Sequence, residues 1–135
     1  MSLVLDASVS LAWCFADETS ASADRILDRL VHQRALVPPI WPYEVANALI
    51  VAERRNRLPA RDTAAALDML GRLPIDVDRP RTESVFGELP ALARKYRLSA
   101  YDVSYLSLAR REKLPLATLD ARLRQVAGKL DIPVA

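Results

Sequence analysis

The sequence predicts a three-layer α/β/α domain built on a central, mainly parallel sheet. Short apolar, β-rich runs alternate with longer stretches of helical spacing, and the prolines fall mostly between these segments as punctuation. A length of 135 residues, 51% hydrophobic and 27% charged, is enough for one buried core without disulfides or structural metal. A single domain over residues 1–135 is expected, since no repeat, linker or low-complexity segment divides the chain.

In chain order, strands are expected at residues 3–5, 35–37, 75–77, 116–118 and 132–134. Helices are expected at 21–33, 43–55, 61–70, 83–96, 101–111 and 121–130. Pro42 suits a first helical turn, while Thr82 and Ser99 stand where helices begin. Strands separated by helices pair in parallel, and such sheets gather their working site at the carboxyl ends of the strands.

Composition narrows the function. The lone Cys14 lies in the run Leu11-Ala12-Trp13-Cys14-Phe15 and reads as a small buried hydrophobe, so no disulfide framework exists and a reducing cytoplasm fits. The apolar N-terminus has no basic region before it and is interrupted by Asp6, well short of a membrane span. The expected location is cytoplasmic. A net charge of +2 permits contact with a polyanion without making an architectural nucleic-acid binder. Arg54-Arg55-Asn56-Arg57, Arg79 with Arg81, and Arg110-Arg111 are candidates for bidentate phosphate contacts, or simply solvated helix ends.

Four acids carry the chemistry. Asp6 directly follows an apolar run and should emerge at the carboxyl edge of a buried strand, where an unpaired charge is costly without a partner or cation. Glu44 opens a helix and shares a face with Asn47, Ala48 and Val51; a favourable helix terminus would by itself account for an acid there. Asp102 heads the stripe of Tyr105, Leu106 and Ala109, with capping alongside Ser99 as the plain alternative. Asp120 follows Leu116-Ala117-Thr118-Leu119, a second arrangement of strand then acid that would equally cap the next helix. Together they suggest one pocket, and carboxylate oxygens without histidine or thiolate suit Mg²⁺ or Mn²⁺, not zinc. The single His32 leaves no histidine pair for metal-free RNA cleavage. Asp76 and Asp78 imitate the Asp-x-Asp of aspartyl-phosphate enzymes, but alternation with Ile75 and Val77 fits an exposed edge strand better. Gly71, Gly87 and Gly128 are too scattered for a phosphate-cradling loop.

These residues resemble PIN domains, and within them the VapC-like toxins of type II toxin–antitoxin pairs. The resemblance is carried by Leu5-Asp6-Ala7-Ser8 with Trp13 following, Glu44-Val45-Ala46-Asn47-Ala48-Leu49, Tyr101-Asp102-Val103-Ser104-Tyr105-Leu106, and Leu116-Ala117-Thr118-Leu119-Asp120. It implies that Asp6, Glu44, Asp102 and Asp120 are the catalytic, metal-holding acids, Asp120 being the position that varies most, and that Ser8 and Asn47 orient the acids or their waters. It implies an endoribonuclease in which metal-activated water cuts RNA, leaving a 5′-phosphate and a 3′-hydroxyl. A small cognate antitoxin and a homodimer follow from the same resemblance. Ala12 and Ala121 stand where related toxins often carry basic residues. The Trp13-Cys14-Phe15 run and the apolar residues between 64 and 73 offer a surface compatible with partners.

Two other readings compete. The same fold could be a non-catalytic RNA- or protein-binding module whose acids are only caps and charge complements. A phosphoryl-accepting regulatory domain would need an acidic pair after the first strand and a lysine after a late one, and neither is present.

Overall fold

A computed structural model of the chain describes residues 2–18 and 20–135. The apolar runs pair as four parallel strands: Ser2–Leu5 (β1), Arg34–Val37 (β2), Ile75–Val77 (β3) and Leu116–Ala117 (β4), in the order β3-β2-β1-β4. Leu3 stands opposite Ala35, Leu36 opposite Asp76, and Val4 opposite both Leu36 and Leu116. β1 is central, and Leu3, Val4 and Leu5 are fully buried, as a strand covered on both faces requires.

Seven helices among the described residues surround the sheet: Ala7–Ala12 (α1), Ala21–Arg29 (α2), Trp41–Arg54 (α3), Ala60–Gly71 (α4), Thr82–Tyr96 (α5), Ala100–Glu112 (α6) and Ala121–Lys129 (α7). The path from β1 through β2 to β3 steps one way across the sheet, and the return to β4 steps the other. With right-handed crossovers this places α1 to α4 on one face and α5 and α6 on the other. The packing agrees, since α1 meets α2 and α3, α3 meets α4, and α6 packs on α5, α7, β1 and β4. The direction of winding reverses between β1 and β4, which makes the crevice beyond their carboxyl ends the expected seat of a site.

The predicted elements need three adjustments. Residues 132–134 form no strand: Val134 makes one parallel bridge to Leu116, because Pro133 has no N–H and β4 offers only two residues to pair with. The helix expected to run to 33 ends at Arg29, and the chain turns so that Arg29 accepts from the amides of both His32 and Gln33 before β2 begins. His32 therefore lies exposed in a turn. The six-residue α1 lacks a helical apolar stripe long enough to read; it is held by tertiary bonds, including Trp41 Nε1 to Ser10 Oγ at 3.0 Å. The expected starts agree elsewhere: Pro42 sits in the first turn of α3 and the Ser99 hydroxyl accepts from the Asp102 amide.

Leu3→Ala is expected to cost about 2–5 kcal/mol, because it empties fully buried volume. Val31→Ala, at an exposed turn, should stay within about 0.5 kcal/mol. Urea denaturation of the two variants measures the contrast.

Candidate active site

Each of the four acids begins a helix. Asp6 takes the N-cap position of α1, Glu44 lies in the first turn of α3, Asp102 in the first turn of α6, and Asp120 caps α7. Four helix N-termini thus favour negative charge where the sheet ends.

Asp6 is 6% exposed, and its side chain forms no cap hydrogen bond. Instead its Oδ2 accepts from Ser8 Oγ at 2.6 Å and from Thr118 Oγ1 at 2.7 Å. Thr118 Oγ1 also accepts the Asp120 amide, and Ser8 Oγ accepts the Leu119 amide. With Asp6 N bonded to the Ala117 carbonyl, these contacts fasten the ends of β1 and β4 together. Ser8 touches Asp6 as its expected role required. Thr118 was given no such role; its signal was a hydroxyl two residues before an acid at the end of a buried strand.

Glu44 is half-buried and accepts the phenol proton of Tyr105 on Oε1 at 2.7 Å. Tyr105 is fully buried and reaches across from α6. Burial, then Glu44 and Asp6, push its pKa far above the ordinary phenol range, so it stays protonated and donates. Asp102 is half-buried beside Ser99. Asp120 is exposed, and its Oδ1 accepts from the amides of Arg122 and Leu123. The capping alternative for Asp120 is therefore real, but it occupies one oxygen and leaves Oδ2 outside the cap. Asn47 is exposed on α3, one turn beyond Glu44, and makes no side-chain hydrogen bond to these acids.

The carboxylates feel one another. Asp6 is raised above the ordinary carboxylate range by burial first, with Ser8 and Thr118 opposing and the Asp120 charge adding to the rise. Glu44 is raised by burial, opposed by Tyr105 and raised further by Asp6 and Asp102. Asp102 is raised by burial, opposed by Ser99 and raised further by Asp120. Coupling thus runs from Asp6 to Glu44 to Asp102 to Asp120 and back to Asp6, a closed ring. None of the ion pairs among the described residues involves any of the four.

That uncompensated negative charge, offered by oxygen donors alone, fits a hard divalent cation. Among the described residues no three His, Cys, Asp or Glu side chains form a ready ligand cluster.

The other charges are engaged elsewhere. Asp76, on edge strand β3, makes a two-point contact with Arg34, and Asp78 pairs with Arg111, so neither is a free phosphoryl acceptor. Of the basic groups, Arg57 pairs with Asp17 and Glu18 and stacks on Phe15, Arg81 pairs with Glu83, and Arg111 is held by Asp78. One member of each group is therefore tied within the chain, and Arg54, Arg55, Arg79 and Arg110 make no ion pair among the described residues.

The model of the PIN domain family matches residues 3–129. A ribonuclease VapC3 from Pyrobaculum aerophilum is 30% identical over 133 residues, covering 98% of this chain and all of that protein. A ribonuclease VapC9 from Mycobacterium tuberculosis is 31% identical over 132 residues, covering 98% of this chain and 95% of the relative. Among solved structures, VapBC2 from Rickettsia felis bound to a DNA fragment from their promoter aligns with a TM-score of 0.71 at 13% identity, covering 100% of this chain and 98% of that one.

Raised carboxylates have a defined effect on stability. Below the unfolded-state value the acid is protonated in both states and the fold suffers no penalty; as pH rises through the higher folded-state value, stability is lost. In chelator, the melting temperature should therefore carry a downward contribution from this site as pH climbs from about 4 toward neutrality. Asp6→Asn or Asp102→Asn should melt higher than the parent at pH 7, and the gain should shrink at pH 4. Scanning calorimetry at the two pH values checks this; a variant less stable at pH 7 would contradict the charge ring.

Proposed function

The chain belongs to the PIN domain family, and from that premise we propose that it is a Mg²⁺- or Mn²⁺-dependent endoribonuclease, the toxin of a type II toxin–antitoxin pair. The observation that carries this reading is the placement of Asp6, Glu44, Asp102 and Asp120 at the starts of four helices, with none of them in an ion pair among the described residues. Asp6, Glu44 and Asp102 would hold the ion, joined by the free oxygen of Asp120. A divalent cation bound there supplies acidity for an attacking water and stabilises charge on the scissile phosphate.

The chain's own residues do the positioning. Ser8 and Thr118 fix one oxygen of Asp6 at the ends of β1 and β4. Tyr105 fixes one oxygen of Glu44. These donors oppose the rise that burial and mutual repulsion impose on the acids, and Ser8 and Thr118 fasten the ends of β1 and β4 together. No side-chain nucleophile is required, and His32, exposed in a turn, takes no part. Attack by water leaves a 5′-phosphate and a 3′-hydroxyl.

The relatives' names supply the ribonuclease class, and the VapBC2 likeness supports a small antitoxin as partner. The chain offers it a groove of about 530 Å³ where Trp13 and Cys14 meet Ala65 and Met69 of α4, with Asp17, Arg57 and Asp62 also in its lining. Part of the apolar excess read from the sequence is core, since Phe15, Ala66 and Leu70 are buried. A homodimer and a cytoplasmic location complete the proposal; among the described residues no helix is long and apolar enough to cross a membrane. A purely binding module would need the acids only as caps. Asp6 makes no cap bond, and Glu44 bonds to a phenol, which favours the enzyme.

Incubated with RNA and Mg²⁺ or Mn²⁺, the protein should leave 5′-phosphate ends, and chelator should stop cleavage. Asp6→Asn and Asp102→Asn should lower the rate at least about 100-fold, and Thr118→Val about 10- to 100-fold. End-specific RNA sequencing reads both rate and chemistry. Full activity of both Asn variants would refute the site.

A further inference from the structure

Arg122 is bonded at both of its ends. Its main-chain amide donates to Asp120 Oδ1 at 2.8 Å, and its guanidinium Nη2 donates to the main-chain carbonyl of Tyr96 at 2.7 Å. Tyr96 is the last residue of α5, and the next two amides, of Arg97 and Leu98, both turn back to the Ala93 carbonyl. The Tyr96 carbonyl is thus one of the orphans of a helix end, and a guanidinium there satisfies it and suits the negative end of the helix dipole. Nη1 donates to Gln125 Oε1 at 2.8 Å, so the group is held between two neutral oxygens. It makes no ion pair among the described residues.

What the guanidinium holds is the turn that leads to Asp102. From Tyr96 the chain needs only Arg97, in the left-handed conformation at φ 55°, and Leu98 to reach Ser99. Ser99 caps α6, its Oγ accepting the Asp102 amide and its carbonyl the Val103 amide. A turn this short, bonded on both sides, moves as one piece with the start of α6. At the other end, Asp120 Oδ1 accepts the amides of both Arg122 and Leu123, which fastens that carboxylate to the start of α7. One residue therefore joins the beginnings of the two helices that carry Asp102 and Asp120, and the charge of Asp120 acts on Asp102. Resting on the ribonuclease reading, we propose that Arg122 is a positioning residue that sets the separation of Asp102 and Asp120 and through it their grip on the divalent ion. Released from the Tyr96 carbonyl, the turn and the start of α7 are free to part under the repulsion of the two acids.

The parent, Arg122→Met and Arg122→Lys test this, with Mn²⁺ affinity measured by electron paramagnetic resonance of the free ion, cleavage of a short oligoribonucleotide followed at fixed Mn²⁺, and fold checked by circular dichroism. Arg122 is exposed, so Met keeps its apolar stem and removes the donor, while Lys returns one donor to the carbonyl. Arg122→Met should weaken Mn²⁺ binding roughly tenfold and lower kcat, with KM for the oligoribonucleotide and its salt dependence unchanged, and Arg122→Lys should recover most of both losses. An Arg122→Met protein that does not fold, or that melts lower with the parent's Mn²⁺ affinity, would make the contact structural alone and overturn the proposal while leaving the ribonuclease reading intact. A raised KM whose dependence on salt shrinks by about 0.7 in log–log slope would overturn it in favour of a direct contact to an RNA phosphate. A parent that binds no Mn²⁺ and cuts no RNA would refute the ribonuclease reading and this role with it.

Discussion

Four carboxylates gathered at one edge of a small sheet repel one another, and much of the rest of the molecule is arranged to tolerate that repulsion. Asp6 would be the most expensive of them, being almost fully buried, and it is the most heavily supported, with two hydroxyl donors on one oxygen. Glu44 has a phenol, and Ser99, which accepts the Asp102 amide, opposes the rise of the Asp102 carboxyl. Each acid also stands at the start of a helix. These donors offset only part of the cost, since burial and mutual charge still leave three of the acids raised.

The topology explains why the acids meet. β1 lies between β2 and β4, and the winding reverses between β1 and β4, so a site is expected beyond the carboxyl ends of these two strands. The helices that begin there bring Glu44 and Asp102 from opposite layers. Tyr105 bridges those layers, buried in α6 and bonded to α3. Its role joins stability to function: a buried phenol needs an acceptor, and the acceptor it finds is an acid of the site.

Much of this was legible in the sequence. The four sheet strands and six of the helices follow from apolar periodicity and caps, because these are local signals, whereas the four acids were marked by strand-edge and first-turn placement together with the family resemblance. What escaped was non-local or marginal. Thr118 reaches Asp6 across 112 positions and Tyr105 reaches Glu44 across 61, and no spacing rule connects such residues. The short α1 has too few turns to show a period and depends on Trp41 for its hold on Ser10. Residues 132–134 look like a strand by composition, but the proline and the two-residue partner allow only a bridge. The arginine groups read as phosphate contacts until folding pairs Arg57, Arg81 and Arg111 with nearby acids.

The central claim is that the carboxylate ring is a divalent-cation site. Crystals soaked in Mn²⁺ and measured for anomalous scattering test it most directly. The account predicts a strong anomalous peak between Asp6, Glu44 and Asp102, on the side of Asp120 that faces away from its cap, and no such peak in Asp6→Asn crystals treated identically. A parent map with no peak there, or with Mn²⁺ bound only at other acids, would contradict it.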